Sequence, residues 1–243
     1  MENFNPDLYW FDGDWEQSAE AWKASEIRNM ILARNPNAII NSRLQGYGDY
    51  ATPEQGLPVK RPAEKYWELC MTINDSWGYQ GNDREFKTTN QIIKIFAECL
   101  SMGGNLLLDI GPKPDGTIPA EQAAVLKGLG RWTKKHAEAI YGTEGGLPPG
   151  YFHGPSTINR DSTMLYLFAA GNPGKQLMLE GVKNKINRIY VVGNGTKLTW
   201  KEYLKPYWSS NSGLVFIDLP EADLDEDMTV VAVILDGRLK LQK

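Results

Sequence analysis

Asp12 stands in the stretch PDLYWFDGDWE, with Trp10, Phe11 and Trp15 close around it. A carboxylate in that company could act as a nucleophile on a sugar, because exposed aromatic rings suit the apolar faces of pyranoses. An Asp-Gly pair ahead of a helical stretch equally suits a helix cap, and from these residues alone both roles stand. If Asp12 ends a strand of a parallel α/β barrel, its partners project from the ends of the other strands. Those positions hold Arg43, Asn74 and Asp109 or Gly111. Asp14 and Glu16 fit the first turn of the next helix, where negative charge favours the helix dipole. His136 and His153 stand far from any Cys or carboxylate at ligand spacing, so no zinc site is expected. No Walker or dinucleotide glycine motif follows a strand either.

The elements that must carry these residues alternate from the start. Asp7 to Gly13 reads as a strand, Glu16 to Arg34 as a helix and Ala38 to Asn41 as a second strand after an Asn-Pro-Asn stop. Leu44 to about Lys65 reads as a loop. Trp67 to Ile73 is a third strand, Thr88 to Met102 a helix, Asn105 to Ile110 a fourth strand and Pro119 to His136 a helix opened by proline. Glu138 to Tyr141 is expected as a fifth short strand. Continuous apolar strands alternating with helices imply a parallel sheet under helices. After Pro148 the pattern becomes strands separated by turn residues, namely MLYLFAA, KQLMLEG, INRIYVVG, GLVFIDL and MTVVAVIL, which predicts a β-sandwich. Glycine and proline concentrate in Thr143 to Gly150, so the expected domains are 1–146 and 147–243.

The 243 residues carry 26 Lys plus Arg against 30 Asp plus Glu, a net charge of −4 that argues against nucleic acid as a partner. No run approaches the ~18 apolar residues of a membrane span, and the N-terminus has no basic and apolar leader. Read as written, the chain is expected to be cytoplasmic. Cys70 and Cys99 both lie in apolar stretches and read as buried thiols.

PDLYWFDGDWE, WELCMTINDSWGYQ, SMGGNLLLDIGPKPDGTIP and GRWTKKHAEAIYGT together resemble the α-L-fucosidases of glycoside hydrolase family 29. The resemblance, with the sandwich, covers nearly the whole chain. It implies an α/β plus all-β fold, an incomplete (β/α)8 TIM-type barrel of about strands 4 to 8 followed by a C-terminal β-sandwich. It implies that Asp12 is the nucleophile, that Trp10 lines the sugar site, that Arg43 lies close to the nucleophile and that Trp77 packs on the fucose. The bland alternatives are a structural ion pair for Arg43 and a core position for Trp77. The family's acid/base carboxylate lies in a variable loop. Here Glu54 is chosen, with Asp49 as runner-up, because a retaining enzyme needs carboxyl groups ~5 to 5.5 Å apart and a flexible loop from a neighbouring strand can reach Asp12. Glu68, near the start of its strand, is placed toward the opposite end of the barrel, in a stabilising role.

The implied reaction is double displacement on a fucosylated glycan or small fucoside, without metal or organic cofactor. The alternative is a catalytically silent carbohydrate-binding or assembly subunit. Compared with the family, the chain begins at the strand corresponding to the fourth, and the family's histidines that hold the fucose hydroxyls are not matched. An open parallel sheet exposes edges and an apolar face, so a homo-oligomer is expected, joined through the flank of Asp7 to Asp12 or through Glu138 to Tyr141. Tyr207 and Trp208 in the sandwich are adjacent and would point to opposite faces of a strand, so no second sugar platform is expected there.

Overall fold

The computed structural model describes residues 4–171, 173–203, 207 and 213–242; Trp208 lies outside the described residues. Contacts divide the chain into two units, Met1–Met71 with Gly104–Leu107, and Thr72–Gly103 with Leu108–Lys243. The expected boundary at 146/147 falls inside the second unit, between strands that pair with each other.

In the first unit, β1 (Leu8–Tyr9) pairs in parallel with β2 (Ile39–Ile40), Leu8 opposite Ile39. Helix α1 (Ala24–Arg34) makes the crossover, burying Ala24 and Ile31 with Ala38, Ile40 and Leu44. The expected helix from Glu16 begins eight residues late. A 3-10 turn at Asp14–Glu16 comes first, the Ser18 hydroxyl accepts the Ala21 N–H, and Lys23 is left-handed at φ 54°, so the local hydrogen bonds of Ser18 compete with the helix.

The stretch expected as a loop contains a strand-like segment. Tyr50, Ala51 and Glu54 form parallel bridges with Asn41, Trp67 and Cys70 respectively. Tyr50–Glu54 therefore lies between the β2 side and β3 (Glu68–Thr72). Strand β3 pairs with β4 (Asn105–Asp109). The Asn105 N–H donates to the Trp67 carbonyl and the Ile73 N–H to that of Asp109, so the two strands run in the same direction. Trp67 is fully buried against Gly104, where a Cβ would lie 2.2 Å from the indole.

In the second unit, helix α2 (Thr89–Ser101) opens with a Thr88–Gln91 capping box and α3 (Ala120–Lys135) follows Pro119. Glu138 to Tyr141 is not a strand. Residues Ala137–Ile140 form a one-turn helix, α4, whose Ala139 and Ile140 are buried. A run of four residues has too little periodicity to separate strand from helix.

Strands β5 (Thr143–Gly145), β6 (Ser156–Asn159), β7 (Met164–Ala170), β9 (Ile186–Val191) and β12 (Met228–Leu235) form an antiparallel sheet in the order β5-β6-β7-β12-β9. Strands β8 (Gln176–Leu179), β10 (Trp200–Tyr203) and β11 (Leu214–Asp218) form a second, ordered β10-β11-β8. Val231, Val233 and Leu235 of β12 join a core with Leu177, Leu179, Val215 and Ile217 of the smaller sheet. Met228, Val230 and Ala232 point the other way, into a core with Ile93 and Ala97 of α2 and Trp132 of α3. Burial on both faces explains why MTVVAVIL is apolar at every position but Thr229 instead of alternating. Among the described residues no helix is long and apolar enough to cross a membrane.

Candidate active site

Asp12 lies just past the end of β1, and a buried asparagine extends the pairing to it. Asn41, directly after β2, accepts the Phe11 N–H at Oδ1 (2.9 Å) and donates from Nδ2 to the Phe11 carbonyl (2.8 Å). Gly13 then turns the chain at φ 80°, a conformation open to glycine. Asp12 does not cap the turn that follows. That turn has no side-chain cap, and the Asp12 carboxylate faces Arg43.

Arg43 ties the site together. Its Nη1 donates to Asp12 Oδ1 at 2.7 Å and its Nη2 to Glu54 Oε2 at 2.7 Å. Its Nε donates to the Thr52 hydroxyl at 3.2 Å, and Nη2 also lies 3.4 Å from Cys70 Sγ. The guanidinium carbon sits 4.6 Å from the centre of the Trp10 ring, a cation–π contact. The Arg43 side chain is 13% exposed, whereas those of Asp12 and Glu54 are 59% and 41% exposed. Burial works to lower the guanidinium's pKa, but its bonds to Asp12 and Glu54 raise it above the ordinary value. A permanently charged fork thus holds two solvent-accessible carboxylates side by side.

Glu54 is presented by a backbone ladder instead of a flexible loop. The Gln55 N–H donates to the Cys70 carbonyl at 2.8 Å and the Cys70 N–H to the Pro53 carbonyl at 3.0 Å. Asp49, the other candidate acid, is engaged elsewhere. Its Oδ1 takes a 2.6 Å bond from Arg28 of α1 and its Oδ2 accepts the Ile40 N–H at 2.9 Å. Asp14 is likewise occupied, accepting the Gln45 N–H at Oδ2 (2.8 Å). Trp77 belongs to the second unit and is 45% exposed, so it is not a core residue.

Three neighbours that the sequence reading leaves out of the site belong to it. Thr52 bonds Arg43 directly, and Cys70, a buried thiol as expected, touches the same guanidinium. Burial raises the Cys70 pKa, with Arg43 opposing. Glu68 is not remote, because it accepts a hydrogen bond from Trp10 and is near enough to Tyr50 to act on its phenol. Burial raises the Glu68 pKa against that bond, and its buried Oε1 has no hydrogen-bond partner. Tyr50 is pushed up to about 12, first by burial and then by Glu68 and Cys70. The period of two along a strand is the signal that could have found them, since Glu68 and Cys70 share one face of β3, and Thr52 and Glu54 are two apart.

The sequence profile of the family described as Alpha-L-fucosidase matches residues 1–138. The plasma alpha-L-fucosidase of Rattus norvegicus is 28% identical over 252 residues, covering 93% of this chain and 51% of that protein. The alpha-L-fucosidase of Dictyostelium discoideum is 31% identical over 154 residues, 59% of this chain and 33% of that protein. The solved structure of alpha-L-fucosidase isoenzyme 1 from Paenibacillus thiaminolyticus superposes with a TM-score of 0.84 at 30% identity, covering 95% of this chain and 58% of that one. The chain thus spans between a third and a half of these curated relatives. The matched profile takes in Asp12, Arg43, Glu54 and Trp77, and by that match the chain belongs to the alpha-L-fucosidase family.

Proposed function

We propose that the protein hydrolyses terminal α-L-fucosides with retention, through a fucosyl-enzyme intermediate. The observation that carries the proposal is the pair of 2.7 Å bonds by which Arg43 holds Asp12 and Glu54 together. Two carboxyl groups on one fork suit the close spacing of ~5 to 5.5 Å that separates retaining from inverting geometries. Asp12, oriented by Arg43, attacks the anomeric carbon while Glu54 protonates the departing oxygen. Water then opens the ester, with Glu54 taking its proton. Trp10 lines the sugar site behind Arg43, and Trp77 packs on the apolar face of the fucose. The substrate is a fucosylated glycan or small fucoside.

The same proposal takes residues 1–146 as part of a (β/α)8 barrel, about strands 4 to 8, and residues 147–243 as a supporting sandwich. It includes a homo-oligomer in which a second copy covers apolar side chains exposed in the first unit, Leu8 and Ile39 among them. The test is turnover of 4-nitrophenyl α-L-fucoside followed by proton NMR of the first-formed sugar. The α-anomer of fucose is expected first. The β-anomer appearing first would refute retention, and binding without turnover would fit a silent carbohydrate-binding or assembly subunit.

A further inference from the structure

The segment after β3 that carries Trp77 has no regular secondary structure between Trp77 and Lys87, yet buried side chains seat it. Gln122, in the first turn of α3 and 1% exposed, accepts the Gly111 N–H at Oε1 (3.0 Å) and donates from Nε2 to Asn74 Oδ1 (3.0 Å). Asn74, also buried, donates in turn to Asp83 Oδ2 at 2.6 Å. The Asn74 carbonyl accepts the Thr72 hydroxyl and, at 3.3 Å, Lys87 Nζ. Gly111 lies so close to the segment that a Cβ there would stand 2.7 Å from the carbonyl carbon of Gly78, the residue after Trp77.

The ends of β3, β4 and α3 thus converge on one loop. Asp83 closes it, and bonds from Asn74, Ser76 and the backbone of Arg84 and Glu85 hold its carboxyl below the usual range. The loop and the start of α3 line a cavity of about 150 Å³, with Tyr79 and Arg84 from the loop and Gln122 from the helix. A buried amide costs desolvation that an apolar residue would avoid. Its return is geometric, since each end of the Gln122 amide has one partner that fits.

We propose that Gln122 is a positioning residue for fucoside binding, seating the Trp77 loop on the ends of β3 and β4 so that the indole presents a fixed face to the sugar. The proposal rests on Trp77 being the sugar-packing residue. A pre-seated ring spares the ordering cost of binding. Loosening it weakens ground-state and transition-state binding alike, which raises KM and leaves kcat nearly unchanged.

The test uses the whole chain with Gln122→Leu, Trp77→Ala and the double variant. Gly111→Ala, which crowds the Gly78 backbone directly, serves as a second perturbation if Gln122→Leu folds poorly. Hydrogen exchange of the amides from 76 to 83 should quicken in Gln122→Leu and in Gly111→Ala, a readout independent of activity. KM for 4-nitrophenyl α-L-fucoside should rise about tenfold in Gln122→Leu, since an orphaned buried partner costs that order of equilibrium constant, with kcat within about twofold. In the Trp77→Ala background the same substitution should move KM no further. Unchanged exchange would overturn the seat itself. Faster exchange together with an unaffected KM in Trp77→Ala would overturn both the sugar-packing role of Trp77 and the positioning role. KM effects that simply multiply would show that Gln122 does not act through Trp77.

Discussion

Removing the Glu54 carboxyl separates substrates by how much help their leaving group needs. Glu54→Ala should keep much of the turnover of 4-nitrophenyl α-L-fucoside, whose phenol leaves unaided, and lose about 10² to 10⁴-fold on fucosides with sugar leaving groups. Asp49→Ala should not show this split, because Asp49 is bound to Arg28 and the Ile40 N–H; if it does and Glu54→Ala does not, the acid/base role belongs to Asp49. Glu68 makes a prediction about pH. Burial raises its pKa in the folded protein above the ordinary 4.5, so the folded state binds its proton more tightly than the unfolded state does. The stability from this group is present below 4.5 and is lost as pH rises through the raised value. Glu68→Gln should therefore gain melting temperature over the wild type at neutral pH, with the gain vanishing in acid, and calorimetry across that window reads it directly. A gain independent of pH would contradict the assignment. At this scale the residue types in PDLYWFDGDWE and NSR are enough to mark Asp12 and Arg43 in the sequence. Glu68 is not legible in the same way, because its place along a strand says less than the face it shares, and that face is set by pairing with segments far away in the chain.

Elements with their own signals are legible close to their true bounds. The Thr88 start of α2, Pro119 before α3 and five of the eight described strands in the two antiparallel sheets (β7, β8, β9, β11 and β12) follow from capping chemistry, proline geometry and apolar runs, while β5, β6 and β10 are not expected from the sequence. Tyr50–Glu54 is hidden in the sequence because it bridges its neighbours at isolated positions among Gly, Pro and Tyr, with no apolar run to mark it. Glu138–Tyr141 misleads for the opposite reason, as a short apolar stretch buried against a sheet while itself helical. One contact tests the packing of the first unit. Gly104 leaves no room for a side chain beside the buried Trp67 indole, so Gly104→Ala should cost about 1–3 kcal/mol through overpacking. A lowered denaturant midpoint at constant slope is the expected result, and an unchanged midpoint would mean that Trp67 can move aside.

For the whole molecule, exposed apolar side chains on β1 and β2 set the expectation. Leu8 is 42% and Ile39 45% exposed, and apolar area left in water costs ~25 cal/mol per Å². Sedimentation at micromolar concentration should find a homo-oligomer that dissociates when Leu8 and Ile39 are both replaced by charged residues. A cooperative monomer of the unaltered chain would contradict that assembly. In the Glu138–Tyr141 segment Ala139 and Ile140 are already buried in the second unit, which leaves Tyr141, 69% exposed, as the apolar side chain available there. On the proposed mechanism the fucosyl ester forms on Asp12. A 2-deoxy-2-fluoro-α-L-fucosyl fluoride should trap it, because the ring fluorine slows both steps while the fluoride leaving group restores the first, so the ester accumulates. Intact-mass spectrometry should show one added fluorofucosyl group, mapped by peptide digestion to Asp12. No adduct on protein that turns over aryl fucosides, or an adduct on Glu54 or Asp49, would contradict it.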